Sequence, residues 1–307
     1  MPISIFGFRA LWSPFFLAAI VLLILIYFGI AAYFRKSARY PAPDKKQAAC
    51  FIAAMAILYI VKGSPLDLLG HIMFSIHMVQ MSVLYLVAAP LMMLGLPVWM
   101  WEKAARLPVI KTIFRFFKHP VITVSGFNIA FSFYHIPSIF DYIKVVPVLH
   151  SMYTIILFGL AVLMWRPLII SSPGQYQLNG LKKIAYLFSS AILLTPACGL
   201  IIFAQSPVYQ TYQDGAMWLK SMHLCVPAEM LSQLGRNGSP MLFSPLPVLE
   251  DQQLGGVMMK LVQEVVYGFV LFRIFFAWAK KEQEEADAET DMMLKERSQL
   301  FEAHNGN

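Results

Sequence analysis

Long uninterrupted runs of apolar residues alternate with short polar segments along the chain. The run from Phe15 to Ala32 holds 18 residues without a charge, a length typical of a membrane-spanning helix. Such a pattern predicts an all-α, polytopic membrane protein and argues against a transmembrane β-barrel, whose strands alternate polar and apolar residues over short segments. Seven spans are predicted, at residues 12–34, 47–62, 72–96, 120–136, 148–170, 183–206 and 255–279.

Composition supports the same class. Of the 307 residues, 58% are apolar and 13% are charged, about half the charged share of a soluble domain. This excludes a soluble globular domain and a disordered chain. Three cysteines are too few for a disulfide framework. The basic residues are scattered between the spans rather than gathered on the solvated basic face that nucleic-acid binding requires, so no nucleic-acid partner is expected.

Lys and Arg residues predict the orientation. Of the 24 in the chain, 18 fall in one set of loops and in the C-terminal segment, which places that side in the cytoplasm. The N-terminus is then outside and the C-terminus inside. Residues 1–281 form a seven-helix membrane domain, and residues 282–307 form a cytoplasmic tail with eight acidic and two basic residues. Residues 98–119 mix aromatic and basic side chains and are interpreted as an interfacial segment, and the longest outer loop covers 207–254.

Histidines concentrate on the predicted outer side. Several of these histidines lie on predicted helices that run in opposite directions, yet they fall at a similar depth near the outer side. Regular spacing along the sequence would not by itself produce this grouping. Two readings stay open: a shared site, or the preference of interfacial side chains for the water boundary. Five of the seven histidines belong to this outer group: His71, His77, His135, His150 and His223.

The third span adds sulfur ligands to the imidazoles. Met73, His77 and Met81 are spaced four residues apart, so they are expected to lie on one helix face. Imidazole with thioether is a ligand set suited to copper, since Met sulfur selects Cu(I). The alternative is that methionine simply fills gaps in helix packing. The full set of candidate metal ligands is His77, Met81, His135, His150, Met73, Asp251 and Met258.

Other polar groups within the spans have simpler interpretations. Lys260 and Glu264 are spaced i, i+4 and are expected either to pair or to serve function. Cys225, in the outer loop, is a weak metal-ligand candidate beside His223. Phosphate loops, serine-nucleophile elbows and zinc-protease motifs are absent from the sequence, so no catalytic turnover is expected.

Several short motifs, taken in order, resemble the caa3-type cytochrome c oxidase assembly factor (CtaG) family of Gram-positive bacteria. The resemblance covers nearly the whole chain. It implies a multi-pass protein of the cell membrane that helps to mature a copper-containing oxidase, with oxidase subunits and a copper chaperone as expected partners. Many relatives carry a second histidine at the position of Met81. The motifs are Phe6 to Pro14, His77-Met78-Val79-Gln80-Met81, Tyr134-His135-Ile136-Pro137, His150-Ser151 and Asp251 to Gly256.

Two functions from different classes are therefore carried forward. The first is an assembly factor that holds copper on the outer face and supports insertion of the metal centre. The alternative is a membrane haem protein that transfers electrons and uses two outer histidines as axial ligands.

Overall fold

Helices make up every regular element of the described residues. The computed structural model describes residues 3–35, 40–170, 178–223, 226, 231 and 240–305. Short 3-10 segments cover Ile3–Phe6, Gln210–Tyr212 and Pro240–Leu242. The α-helices are α1 (Gly7–Leu11), α2 (Pro14–Phe34), α3 (Lys45–Gly63), α4 (Pro65–Ile72), α5 (Phe74–Ser82), α6 (Ala89–Gly95), α7 (Val98–Ala104), α8 (Pro108–Phe116), α9 (Pro120–Tyr134), α10 (Pro137–Val145), α11 (Pro147–Ile169), α12 (Gly180–Ile202), α13 (Gly215–Met222) and α14 (Val248–Asn305).

Six helical stretches within the described residues are long and apolar enough to cross a membrane. They confirm the all-helical, multi-pass class. The fourth of the seven predicted spans corresponds to α9, which has 15 residues and is therefore about 22 Å long, short of a hydrocarbon core of about 30 Å. The count of seven and the orientation stay predictions. The six stretches are Ile3–Phe34, Lys45–Gly63, Phe74–Gly95, Pro147–Ile169, Gly180–Ile202 and Val248–Arg297.

The third predicted span is interrupted near its N-terminal end. Met73 has an extended backbone, with φ −120° and ψ 127°, and separates α4 from α5. The prediction that Met73 continues one helix face with His77 and Met81 is therefore wrong. The physical reason is a cap from α14: the carboxylate of Asp251 accepts hydrogen bonds from the backbone N–H groups of Phe74, at 2.6 Å, and Ser75, at 3.3 Å. These N–H groups would otherwise bond within a continuous helix.

Two backbone carbonyl groups lose their helical N–H partners at this break, and both accept hydrogen bonds from side chains instead. In a continuous helix Gly70 and His71 would accept from the N–H groups that Asp251 takes. Instead the Gly70 carbonyl accepts from the Tyr212 hydroxyl at 2.7 Å, and the His71 carbonyl accepts from the Trp218 indole N–H at 3.0 Å. The side chains of Tyr212 and Trp218 thus supply the donors that these two carbonyl groups lose at the break.

Two adjacent glycines let α14 pack closely between α5 and α12. A Cβ at Gly255 would lie 2.8 Å from a ring carbon of Phe74 and 3.1 Å from the Cα of Ser75. A Cβ at Gly256 would lie 2.6 Å from a side-chain carbon of Ile202. Because neither site has room for a side chain, the glycines set the distance of α14 from both neighbours.

The acidic tail extends the last helix. α14 runs from Val248 to Asn305 without interruption. The described side chains from Glu282 to Arg297 are exposed. This part of α14 makes i, i+4 ion pairs at its start, between Lys280 and Glu284 and between Lys281 and Glu285.

Candidate metal centre

Four histidines from four helical segments meet in the protein interior. His71 lies on α4, His77 on α5 and His150 near the start of α11, and His135 follows the last residue of α9. The ring centre of His77 lies 6.5 Å from that of His135 and 6.4 Å from that of His150, and the rings of His71 and His150 are 5.8 Å apart. All four are buried. We call this group the histidine cluster.

Backbone contacts fix the orientation of two of these rings. Nδ1 of His135 lies 2.8 Å from the Phe131 carbonyl, and Nδ1 of His71 lies 3.0 Å from the Asp67 carbonyl. Because a carbonyl only accepts, each Nδ1 carries the proton and each Nε2 keeps its lone pair. A histidine held in this way by its second nitrogen is the usual arrangement of a metal ligand.

Nε2 atoms of the histidine cluster are available for a further contact. In the described part of the chain, Nε2 of His77 and Nε2 of His135 are buried and have no hydrogen-bond partner. Buried polar atoms without partners are uncommon, and each calls for an explanation. Neutral imidazole nitrogen also suits a copper ion.

A buried lysine occupies one edge of the histidine cluster. Lys144, on α10, is fully buried. Its Nζ atom lies 3.4 Å from Nδ1 of His77 and 3.5 Å from the Gly70 carbonyl, and it faces the rings of Phe140 and Tyr212 at about 6 Å. Sequence reasoning missed this residue, because a lysine between Pro137 and Pro147 is typical of an exposed turn.

Positive charge close to the cluster favours neutral histidines. Burial, together with the nearby Lys144 and Lys62 charges, lowers the pKa of His71 to about 3, against the opposing effect of Asp67. His71 is therefore uncharged at neutral pH. Its side chain is then able to act as a neutral ligand or as a hydrogen-bond partner, but not as a cation.

Aromatic side chains from α9 and α10 pack against the cluster. The ring of Phe140 lies 5.3 Å from that of His77, and the Tyr134 hydroxyl lies 3.2 Å from Nδ1 of His150. Asp141 holds the outer loop in place, since its carboxylate accepts from the backbone N–H groups of Gln210 and Thr211 at 2.9 Å each. The Phe140 and Tyr134 contacts pack aromatic rings against His77 and His150.

The remaining predicted ligands have varied positions. Met81 is buried in the main core beside the histidine cluster, on the same helix as His77, whereas Met73 packs in a separate apolar cluster around Trp218. Both carboxylate oxygens of Asp251 accept hydrogen bonds from backbone N–H groups at the start of α5. Met258 is half-buried on α14. Within the described residues, no three His, Cys, Asp or Glu side chains are placed to hold a metal ion as they stand.

Other polar candidates have ordinary structural roles or fall outside the description. Lys260 and Glu264 form an ion pair of 2.8 Å. Asn128 donates to the Val124 carbonyl and to Ser190. His223 is exposed at the end of α13, apart from the four buried histidines, and Cys225 lies outside the described residues.

Comparison with known proteins identifies the family. No curated protein and no solved structure matches the chain significantly. The model of the cytochrome c oxidase caa3 assembly factor family (Caa3_CtaG) matches residues 8–281, which include every helix that contributes to the histidine cluster. The chain therefore belongs to the cytochrome c oxidase caa3 assembly factor family.

Proposed function

We propose that this protein binds copper in the histidine cluster and supports insertion of the metal into cytochrome c oxidase, without catalytic turnover of its own. Membership of an oxidase assembly family indicates that the process is assembly of cytochrome c oxidase. The observation that carries the copper proposal is the convergence of His77, His135 and His150, with two buried Nε2 atoms that have no partner in the described residues.

The spacing of the rings is compatible with a shared ion after a small adjustment. With metal–nitrogen distances of about 2.0–2.1 Å, two imidazoles on one ion have ring centres about 5 to 6.5 Å apart. The spacings of 6.4 and 6.5 Å lie at the upper end of that range. Rotation of the rings towards each other would complete the site.

Each residue would have a separate task. His77, His135 and His150 would each supply one imidazole nitrogen, and Met81 would add a soft sulfur that favours Cu(I). Asp251 would act indirectly, because its contacts with Phe74 and Ser75 position the helix that carries His77. Copper is the cargo in this scheme. The proposed setting is the outer side of the cell membrane, with oxidase subunits and a copper chaperone as partners.

Metal analysis of the purified full-length protein tests this proposal. The protein is purified anaerobically, with and without added Cu(I), and its copper content is compared with that of His77→Ala and His119→Asn. We expect His77→Ala to lose most of the copper and most of the oxidase maturation. His119 is an exposed histidine whose Nδ1 caps α9, so Asn keeps the cap and should retain wild-type copper content.

Two results would contradict copper binding. Equal copper content in the His77 and His119 variants would place the metal elsewhere. A Soret band in the visible spectrum of the purified protein, lost in His77→Ala, would favour the haem alternative. A colourless Cu(I)-loaded protein agrees with the proposal.

A further inference from the structure

A basic cavity lies at the end of the bundle opposite the histidine cluster. Its volume is 270 Å³. Its walls come from α8, from the short connection to α9 and from the end of α11. Four cations line it, together with aromatic and proline side chains: Lys111, Arg115, Lys118 and Arg166. We call it the basic cavity.

The positive charge of the basic cavity is not balanced by its own segments. The sequence contains no Asp or Glu from Lys103 to Phe140, and none from Tyr142 to Gln213. None of the four cations forms an ion pair with another described residue. Four like charges around one small cavity repel one another, and a bound anion would relieve that repulsion.

The helix that carries these charges has two opposite faces. Lys111 and Arg115 are four residues apart, so they share one side of α8, and Lys118 follows in the turn after α8. Val109, Ile113 and Phe116 share the other side and are exposed, at 72%, 42% and 67%. A short helix with a basic face and an uncovered apolar face is typical of helices that lie in the membrane interface, with their cations at headgroup depth.

Arg166, on α11, contacts α8. Its guanidinium carbon lies 4.7 Å from the ring centre of Phe114, on α8. This contact brings a charge from the end of α11 into the same cavity as the α8 charges. The cavity therefore lies between two elements, and both of them contribute cations to it.

We propose that the basic cavity binds the phosphate headgroup of an anionic phospholipid. Charge complementarity and headgroup depth favour this ligand, because basic pockets between transmembrane helices bind such headgroups. The apolar face of α8 would contact the acyl chains. The site is independent of copper and of the histidine cluster.

The test uses the full-length protein in detergent, titrated with phosphatidylglycerol or phosphatidylcholine and followed by native mass spectrometry. We expect phosphatidylglycerol to bind preferentially. In Arg115→Gln/Arg166→Gln, its association should weaken by about tenfold or more, since each cation near an anionic headgroup contributes about fivefold. The matched control is Lys45→Gln/Lys46→Gln, which removes two exposed charges at the start of α3 and should change binding less than about twofold.

Conservative variants and a small anion complete the test. Arg115→Lys/Arg166→Lys keeps the charge and should keep most of the lipid preference, which separates lost binding from lost folding. Equal weakening in the two Gln double variants would overturn the proposal, because it would show only a diffuse surface potential. Inorganic phosphate that binds with the same residue dependence, and without any lipid preference, would also overturn it.

Discussion

The Nζ atom of Lys144 lies 3.4 Å from Nδ1 of His77, and both side chains are buried. An ammonium group has only protons to donate, so His77 receives a hydrogen bond at Nδ1 and carries its own proton on Nε2. A metal ion at Nε2 would have to displace that proton. It would also lie near a fixed positive charge.

Lys144→Met is expected to tighten copper binding. Two unit charges about 7 Å apart repel by about 2 kcal/mol at an effective dielectric constant of about 20, and Met removes the charge while keeping much of the volume. We expect the Cu(I) affinity to rise by about tenfold or more, measured by competition with a Cu(I) chelator. Lys144→Arg keeps the charge and should bind copper like the wild type. Weaker binding in Lys144→Met would show that the lysine supports the site instead.

Asp251→Asn should destabilise the metal-free protein. The amide nitrogen of Asn cannot accept the hydrogen bonds that the second carboxylate oxygen accepts from the start of α5. The expected loss is about 1–2 kcal/mol, as for other helix caps, seen as a lower Tm in the absence of copper. Glu250→Gln, at the exposed neighbouring position, should leave Tm unchanged. An unchanged metal-free Tm with a lower copper affinity would instead make Asp251 a ligand.

Gly255→Ala should lower the stability by about 1–3 kcal/mol, the usual cost of overpacking. The added Cβ would meet Phe74 and the backbone of Ser75, which leaves little room for adjustment. Gly268→Ala is the matched control on the same helix, because no described residue from another element lies within 4 Å of its Cβ position. The control should be neutral or gain up to about 1 kcal/mol from helix propensity. Similar Tm values for the two variants would contradict the close packing of α14.

Deletion of residues 288–307 should leave oxidase maturation intact. The family match ends at residue 281, and the described side chains of this part of α14 are exposed as far as Arg297. Oxidase activity and the protein level in the membrane are measured together. Loss of activity at a normal protein level would assign the acidic tail a role in assembly.

The sequence predicts that the histidines group together, because this grouping follows from the order and direction of the helices. His77, His135 and His150 stand near the outer ends of their predicted spans, and antiparallel helices bring such ends together. The fourth buried histidine, His71, was placed on the same side by the same reasoning. What this reasoning cannot supply is the direction of each ring, which depends on contacts such as that between His135 and the Phe131 carbonyl.

Two features depend on contacts between residues far apart in the chain. The helix break at Met73 requires Asp251, which is 177 residues from Phe74, and the local sequence around Met73 is compatible with a continuous helix. The burial of Lys144 likewise depends on Gly70 and His77. Local periodicity describes an element and its faces, but it does not describe a partner from another helix.

The capping of α5 by Asp251 has a consequence for the order of biosynthesis. At about 5–20 residues per second, a ribosome needs about 10 to 35 seconds to add the 177 residues that separate Phe74 from Asp251. Until then the first turn of α5 lacks the acceptor that holds it in the finished protein. The histidine cluster therefore reaches its final geometry only after the last membrane helix has been synthesised, so an incomplete chain that stops before α14 lacks the finished site.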